Sequence, residues 1–279
     1  MTRETVATVL RAGVRRLKEA GVPEPARDAR LLMAEALGID AGRLTLMEPE
    51  MLQNEPAARF ETFVERRAAH CPVSHILGRR WFWGREFEVG ADVLDPRPET
   101  ELLVELALAG RRPGRVLDLG TGSGILLISL LSEWPEATGL GVDRSHDALR
   151  VARRNAVRHG VDNQAELRSG DWCDGVEGGF DLVVCNPPYI PRAEIATLDR
   201  SVRDWEPHMA LSEGPTGLES YVRIAAGLRD VLVPGGRALF EIGADQGESV
   251  PELFRRAGFE NVRMHRDLAG KARSVDISI

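Results

Sequence analysis

The chain has 279 residues and a formal net charge of -7, with 43% hydrophobic and 28% charged residues. This balance is typical of a folded globular protein and argues against disorder, and no apolar run approaches the roughly 18 residues that span a bilayer. The acidic charge disfavours binding to a long phosphate backbone, which normally requires a broad basic surface. We therefore expect neither a stable nucleic-acid partner nor a membrane partner.

The cysteines, histidines and N-terminus indicate a cellular setting. Cys71, Cys173 and Cys185 are odd in number and have no CxxC spacing, which predicts neither a disulfide framework nor a structural zinc site. The histidines show no ligand spacing either, so we expect no metal. The N-terminal segment alternates charged and apolar residues and lacks the continuous apolar core of a signal peptide. A reduced, cytoplasmic protein is expected.

Residues 1–77 are predicted to form a small helical bundle. Apolar residues recur at helical spacing from Val6 to Leu17, and a Gly-Val-Pro stop follows them. Similar stripes run through residues 29–37 and 60–68. Such stripes are far more typical of a packed core than of a cofactor site.

Residues 78–96 are predicted to form a β-hairpin that links the helical bundle to the rest of the chain. Aromatic residues alternate there with polar ones around Gly84 and Gly90. The prolines and polar residues of DPRPET come next, followed by a helical run through residues 102–107.

Three polar residues precede this helical run and have two possible roles. Glu99 and Thr100 stand where they can cap the N-terminus of the helix, which is the common role for such residues. Alternatively, together with Arg97, they lie over a cofactor pocket as a lid and contact the substrate. The sequence leaves both interpretations open.

Strand and helix segments alternate after residue 114, which predicts an α/β domain over residues 97–279. The predicted strands are Arg115–Leu119, Thr138–Asp143, Ala165–Ser169, Asp181–Asn186, Arg237–Ile242, Asn261–Arg266 and Ser274–Ile279. Repeated βα units imply a mainly parallel, seven-stranded sheet that is covered on both faces. Only LAGKA separates the last two strands, which is too short for a helical crossover, so these strands are expected to pair antiparallel.

A glycine-rich turn in VLDLGTGSGILL predicts a ligand site at the carboxyl edge of the sheet. Gly120, Thr121, Gly122, Ser123 and Gly124 lie between an apolar strand and an apolar helix, where glycines allow a tight turn and a close approach to a ligand. The next predicted strand ends in an aspartate 19 residues after the last of these glycines. A carboxylate at this spacing accepts hydrogen bonds from ribose hydroxyls.

That aspartate is Asp143, and the loop before it favours a nucleoside ligand that has no diphosphate. The dinucleotide fingerprint would need glycine at position 125, where the chain has Ile125. S-adenosylmethionine (SAM) fits this pattern better. Asp171 and Trp172 follow the third predicted strand and form a candidate adenine site, in which the carboxylate accepts from the exocyclic amine and the indole supplies a flat wall.

The segment FDLVVCNPPYIP contains a candidate catalytic cluster at the end of the fourth predicted strand. Pro187 and Pro188 hold the backbone extended, so the amide oxygen of Asn186 and the Pro187 carbonyl can converge as two acceptors. Two acceptors suit an NH2 group, because each takes one hydrogen. The nitrogen lone pair is then directed at an electrophile, while Tyr189 covers the planar group.

This arrangement addresses a specific chemical problem. The nitrogen of an amide or an exocyclic amine is a poor nucleophile because its lone pair is delocalised. Holding both hydrogens favours pyramidalisation, and the positioning itself contributes to the rate. We expect an in-line displacement at a sulfonium methyl, with neither a metal nor a strong general base.

Taken together, these segments resemble the PrmC/HemK family of SAM-dependent N(5)-glutamine methyltransferases that act on peptide chain release factors. The resemblance runs along nearly the whole chain, through PVSHILG, WFWGREFEV, DPRPETELLVE, VLDLGTGSG, GVDRS, SGDW, VCNPPYI, GPTGLESYVRI and RDLAGKAR. NPPY alone is shared with DNA adenine methyltransferases, whereas PRPET and the late segments are much more specific.

The resemblance implies a class I (Rossmann-like) SAM-dependent methyltransferase domain that follows an N-terminal helical domain for gripping the release factor. It implies that Gly120 to Gly124 and Asp143 bind SAM, that Trp172 contacts its adenosine, and that Asn186 to Tyr189 hold the acceptor glutamine. That glutamine belongs to the Gly-Gly-Gln motif of class I release factors, and the second product is S-adenosylhomocysteine.

Two alternatives remain open on the sequence. A DNA N6-adenine methyltransferase would use the same NPPY chemistry, but the acidic charge and the lack of an obvious basic recognition region disfavour it. A SAM-binding module without turnover is the other, although the intact Asn186 and Tyr189 weigh against it. An oxidoreductase is disfavoured by Ile125.

Overall fold

The structure is a computed structural model that describes residues 4–279, and the chain divides into two compact units. The first unit contains the described residues up to Gly78 together with Asp199–Trp205, and the second contains Arg79–Leu198 and Glu206–Ile279. The hairpin that the sequence predicts as a linker therefore lies within the second unit. The short segment at 199–205, which was expected in the catalytic domain, lies in the first.

The described helices are α1 (Val6–Glu19), α2 (Pro25–Leu37), α3 (Leu44–Met47), α4 (Asn54–Ala68), α5 (Val73–Leu77), α6 (Glu101–Leu108), α7 (Ile125–Glu133), α8 (His146–Arg158), α9 (Arg200–Arg203), α10 (His208–Leu211), α11 (Glu219–Val231) and α12 (Ser249–Arg256). The described strands are β1 (Arg79–Phe82), β2 (Arg85–Glu88), β3 (Arg115–Leu119), β4 (Thr138–Asp143), β5 (Ala165–Ser169), β6 (Phe180–Cys185), β7 (Leu232–Glu241), β8 (Asn261–Arg266) and β9 (Ala272–Ser278). None of the helices in this part of the chain is long and apolar enough to cross a membrane.

The first unit is a helical bundle, as the apolar stripes predict. Leu17, Leu32 and Phe60, one from each of the three longest helices, are fully buried in its core. The N-terminus of α1 is capped by the hydroxyl of Thr5, and α2 is followed by Gly38, whose positive φ of 66° suits glycine. Local capping and apolar spacing together account for this unit.

The second unit contains a seven-stranded sheet in the order β5-β4-β3-β6-β7-β9-β8. The strands from β5 to β7 are parallel, and β9 pairs antiparallel with both β7 and β8. The prediction for the last two strands is thus confirmed. Apolar residues of α11 and α12 pack on the sheet in one buried cluster, and those of α6 and α7 pack on it in another. The sheet is covered on both faces.

The antiparallel hairpin is shorter than the sequence predicts. It consists of β1 and β2, which turn through Trp83 and Gly84, both at positive φ. No strand is found over residues 89–96. The side chains of Phe82 and Phe87 are buried against α6 and α7, so the aromatic alternation marks the face of the hairpin that packs on these helices within the second unit.

A buried asparagine on α8 connects this hairpin to the glycine-rich turn. The Asn155 side chain accepts from Glu88 N at 2.8 Å and donates to Glu88 O at 3.0 Å and to Ser123 O at 2.9 Å. Replacing Asn155 with alanine leaves these backbone groups without their partner in a buried site. We expect the free energy of unfolding, measured in urea, to fall by about 1–3 kcal/mol.

The matched control is alanine at Asn163, whose side chain is exposed. Its free energy of unfolding should change by no more than about 0.5 kcal/mol. Equal effects at the two positions would contradict a stabilising role for the hydrogen bonds of Asn155.

Candidate active site

A cavity of about 230 Å³ opens at the carboxyl ends of the central strands in the second unit. The predicted site residues that line it are Arg97, Thr100, Gly120, Thr121, Gly122, Ser123, Asp143, Trp172, Asn186 and Pro188. The predicted residues that do not line it are Glu99, Gly124, Asp171, Pro187 and Tyr189. The fold therefore brings the glycine-rich turn, the strand-end aspartate and part of the NPPY segment to one place.

The glycine-rich turn adopts a backbone that requires glycine. Gly120, Gly122 and Gly124 have φ values of 70°, 56° and 83°. A Cβ at Gly124 would lie 2.7 Å from the Cδ1 of Ile128, so this glycine also allows α7 to start close to the turn. The loop presents backbone N–H groups near the start of α7, beside the cavity.

Asp143 holds this turn in place. One of its carboxylate oxygens accepts from Gly122 N and the other from Ser145 N, each at 2.8 Å. Burial raises the pKa of Asp143, and the backbone N–H groups counter that effect. Because each carboxylate oxygen accepts more than one hydrogen bond, the side chain has capacity left for ribose hydroxyls on the cavity side.

Asp118 is a second cavity carboxylate, which the sequence analysis missed. One oxygen accepts from the Thr121 hydroxyl at 2.7 Å and from Leu127 N at 3.3 Å, while Oδ1 is buried with no hydrogen-bond partner among residues 4–279. Burial raises its pKa to about 7. The sequence feature that could have identified Asp118 is a single acidic residue inside the apolar strand VLDL. Its unpartnered oxygen offers an acceptor to a cationic or N–H group in the cavity.

Trp172 forms one wall of the cavity at the end of β5. Its backbone has a φ of 53°, which is uncommon for a large residue and marks a tightly constrained turn. The ring lies against Gly120, where an added Cβ would be 3.3 Å from it. The indole therefore stands directly over the glycine-rich turn, as a planar wall for an adenine requires.

Glu213 anchors the indole and was not anticipated. It accepts from Trp172 Nε1 at 3.3 Å, from the Ser220 hydroxyl at 2.6 Å and from Arg223 at 2.7 Å. Asp171 does not line the cavity, and its carboxylate pairs with Arg223 at 2.5 Å. Its position fits a role in orienting this arginine, while its predicted contact with adenine stays a prediction.

Asn186 stands immediately after β6 with its amide held from one side. Its Nδ2 donates to the Thr100 hydroxyl at 3.2 Å, which leaves Oδ1 without a partner among the described residues. Pro188 lines the cavity beside it, whereas Pro187 is buried outside the lining. The Tyr189 hydroxyl donates to Glu241 at 3.3 Å.

The PRPET segment contributes through Arg97 and Thr100. Arg97 donates to the buried carboxylate of Glu206 at 2.5 Å and lines the cavity. Thr100 is the residue before α6, but its side chain makes no cap hydrogen bond. Its hydroxyl donates instead to Glu241 at 2.6 Å. The capping interpretation is therefore wrong for Thr100, because a buried carboxylate on β7 takes its proton.

Residues 4–279 contain no group of three or more His, Cys, Asp or Glu side chains that could hold a metal ion.

Comparison with known proteins supports this interpretation of the fold. Residues 8–78 match the family described as PrmC N-terminal domain, and residues 91–202 match the methyltransferase small domain. Among solved structures, a methyltransferase from Pyrococcus furiosus has a TM-score of 0.51 and 19% sequence identity, covering 71% of this chain and 90% of that one. The fold and the matched domain define a class I, Rossmann-like methyltransferase.

Relatives over the full length narrow the assignment. The chain is 52% identical over 270 residues to a release factor glutamine methyltransferase of Cereibacter sphaeroides, covering 96% of each chain. Proteins of the same name from Rhodospirillum rubrum and Caulobacter vibrioides are each 44% identical, covering 95% and 93% of this chain and 82% and 91% of theirs. The chain belongs to the release factor glutamine methyltransferase family.

Proposed function

We propose that this methyltransferase transfers a methyl group from SAM to the side-chain amide nitrogen of the glutamine in the Gly-Gly-Gln motif of class I peptide chain release factors. The observation that carries the proposal is the orientation of Asn186, whose nitrogen is engaged by Thr100 and whose oxygen is left for a ligand. Full-length relatives that are named for glutamine methylation support the choice of substrate.

The cavity residues fit the methyl donor. Positive-φ glycines form a cradle that any Cβ would strain, and Asp143 offers acceptors for a ribose. The orphaned Oδ1 of Asp118 suits an ammonium group, and Trp172 offers a flat wall for a base. When bound, SAM supplies a methyl group on a positively charged sulfur, open to in-line attack by a nitrogen.

The chain's part in the chemistry is to hold and orient the acceptor amide. Asn186 Oδ1 accepts one hydrogen of the substrate NH2 group. The Pro187 carbonyl, which lies between two lining residues but outside the lining itself, is proposed to accept the other. With both hydrogens held, the nitrogen lone pair points out of the amide plane toward the methyl donor. The extra proton leaves after transfer, so no strong general base is needed.

A protein substrate agrees with the charge of the chain. DNA adenine methyltransferases face the same problem of activating a planar NH2 group, so the NPPY geometry alone does not separate the two substrates. A net charge of -7 disfavours tight binding to a phosphate backbone, and the family relationship points to release factors. We therefore favour the protein substrate.

The test is a parallel transfer assay. The purified chain is incubated with SAM that carries a radiolabelled methyl group, in one reaction with a class I release factor and in another with duplex DNA. Two controls use a release factor whose motif glutamine is replaced by glutamate and a reaction without enzyme. We expect label on the unaltered release factor alone.

Each other outcome contradicts the proposal in a different way. Label on DNA and none on the release factor would favour an adenine methyltransferase. Binding of SAM without transfer to either substrate would favour a module without turnover. Equal label on the glutamine and glutamate forms of the release factor would place the acceptor elsewhere on that protein.

A further inference from the structure

A buried carboxyl group joins the two segments that meet at Asn186. Glu241, at the end of β7, is 2% exposed and accepts the Thr100 hydroxyl at 2.6 Å and the Tyr189 hydroxyl at 3.3 Å. Thr100 in turn accepts from Asn186 Nδ2 at 3.2 Å. A continuous hydrogen-bond chain therefore runs from Asn186 through Thr100 to a carboxyl group that does not line the cavity.

The available protons decide which group donates in each hydrogen bond of this chain. A threonine hydroxyl has one proton to donate, and an ionised carboxylate can only accept. With Glu241 ionised, the Thr100 proton points to Glu241, and the hydroxyl oxygen is free to accept from Asn186. The amide of Asn186 must then turn its nitrogen toward Thr100 and its oxygen away from it.

Protonation of Glu241 would allow the opposite direction. A neutral carboxyl donates to the Thr100 oxygen, and the Thr100 proton is then available to the amide oxygen of Asn186. The amide would turn over and present its NH2 group to the cavity. An NH2 group facing another NH2 group offers no acceptor, so the substrate amide would lose the contact that orients it.

We propose that Glu241 is a positioning residue, whose ionised carboxylate sets the orientation of the Asn186 amide through Thr100 and so makes the site competent for an NH2 acceptor. The proposal rests on the proposed function, because it concerns the same amide chemistry. It adds control of that amide by a carboxyl group that lies outside the cavity lining.

The surroundings of Glu241 are consistent with a carboxyl group that titrates in the working range. Burial raises its pKa to about 7, the Thr100 and Tyr189 hydroxyls and the charge of Arg273 act to lower it, and Glu99 acts to raise it. Arg273 belongs to β9 and is itself bound to Asp267 at 3.0 Å.

Two further titratable groups lie close enough to Glu241 to interact with it electrostatically. The Tyr221 hydroxyl of α11 donates to the backbone oxygen of Glu241 at 2.7 Å. Burial raises the pKa of both Tyr221 and Cys185, so each is neutral near pH 7. Neither group therefore changes charge over the range in which Glu241 does.

The first experiment is the pH dependence of kcat for methylation of the release factor, measured with both substrates saturating. In the unaltered enzyme, kcat should fall as the pH drops through about 7, because the carboxylate is then protonated. Glu241→Gln cannot titrate, so its kcat should lack this acid limb. Thr100→Val breaks the hydrogen-bond chain between Asn186 and Glu241, so the kcat of this variant should also lack the acid limb.

A control variant separates this effect from general loss of a carboxylate in the sheet. Asp276 on β9 pairs with Arg237 on β7, and neither residue lines the cavity. Asp276→Asn should keep the acid limb. An acid limb that persists in Glu241→Gln, for example one set by Asp118, would overturn the proposal.

A second readout needs no substrate. In protein labelled with ¹⁵N, the side-chain amide signal of Asn186 should shift with a midpoint near pH 7, and Thr100→Val should abolish that shift. Failure of the proposed function would leave this coupling intact while no methyl group reaches a release factor. An Asn186 signal that is insensitive to pH in the unaltered protein would overturn the inference alone.

Discussion

Replacing Asn186 with alanine is expected to lower kcat at least about 100-fold while SAM still binds. Asn186 supplies the side-chain amide of the NPPY segment. It lines the cavity, and its amide oxygen is unpaired among residues 4–279. Without that acceptor the substrate NH2 group is not oriented, whereas the cradle around the glycine-rich turn is untouched. Single-turnover transfer and calorimetric titration with SAM measure the two effects separately.

The control for this variant is alanine at the exposed Asn163, which should turn over at the unaltered rate. Thermal unfolding of both proteins shows whether a loss of rate reflects a loss of fold. An undiminished kcat in Asn186→Ala would contradict the acceptor mechanism.

Replacing Asp143 with alanine is expected to weaken SAM binding by about 1–3 kcal/mol, or roughly 5- to 150-fold in Kd. The reason is twofold, because the carboxylate is the proposed ribose acceptor and also holds Gly122 N and Ser145 N at 2.8 Å. Equilibrium titration of the ligand-free protein with SAM gives the affinity directly.

An exposed acid in the same unit provides the matched control. Asp162→Ala removes one negative charge away from this cavity and should leave Kd unchanged. If Asp143→Ala keeps the unaltered Kd and the unaltered thermal stability, the aspartate does not bind the ligand and the ribose assignment fails.

The sheet could be predicted from the sequence because its strands are short apolar runs between clear breaks. The predicted ranges for β3, β4, β5 and β8 coincide with the observed ones. The antiparallel pairing of β9 with β8 was predictable because a short connection leaves no room for a crossover helix. β7 begins at Leu232, five residues earlier than predicted, since the two glycines at 235 and 236 interrupt the apolar pattern that signals a strand.

The hairpin and the segment at 199–205 show where local patterns fail. Aromatic alternation identified β1 and β2, but the apolar residues of 89–96 pack without forming a strand. The segment at 199–205 belongs to the first unit, and Trp205 donates to Ala69 O there at 3.1 Å. A contact between residues so far apart in sequence leaves no periodic signal.

The site was predictable where one segment carries the geometry. The glycine-rich turn and Asn186 could be found because their residue types and their place after a strand are informative together. Glu213 and Glu241 were missed because they contact Trp172, Thr100 and Tyr189, which lie far away in sequence. Asp118 was missed because only the fold shows that its carboxylate is buried beside the cavity. A lone acid in an apolar strand, as in VLDL and LFEI, was the available signal for two of them. A buried carboxylate without a nearby partner in sequence warrants a search for partners elsewhere in the fold.

The central claim, that the acceptor is the amide nitrogen of a release factor glutamine, is tested most directly by mapping the methyl group. A class I release factor is methylated to completion, digested, and sequenced by tandem mass spectrometry. We predict a single added methyl group on the side-chain nitrogen of the glutamine in the Gly-Gly-Gln motif, absent when Asn186→Ala replaces the unaltered enzyme. A methyl group on any other residue, or an unmodified release factor, would contradict the account.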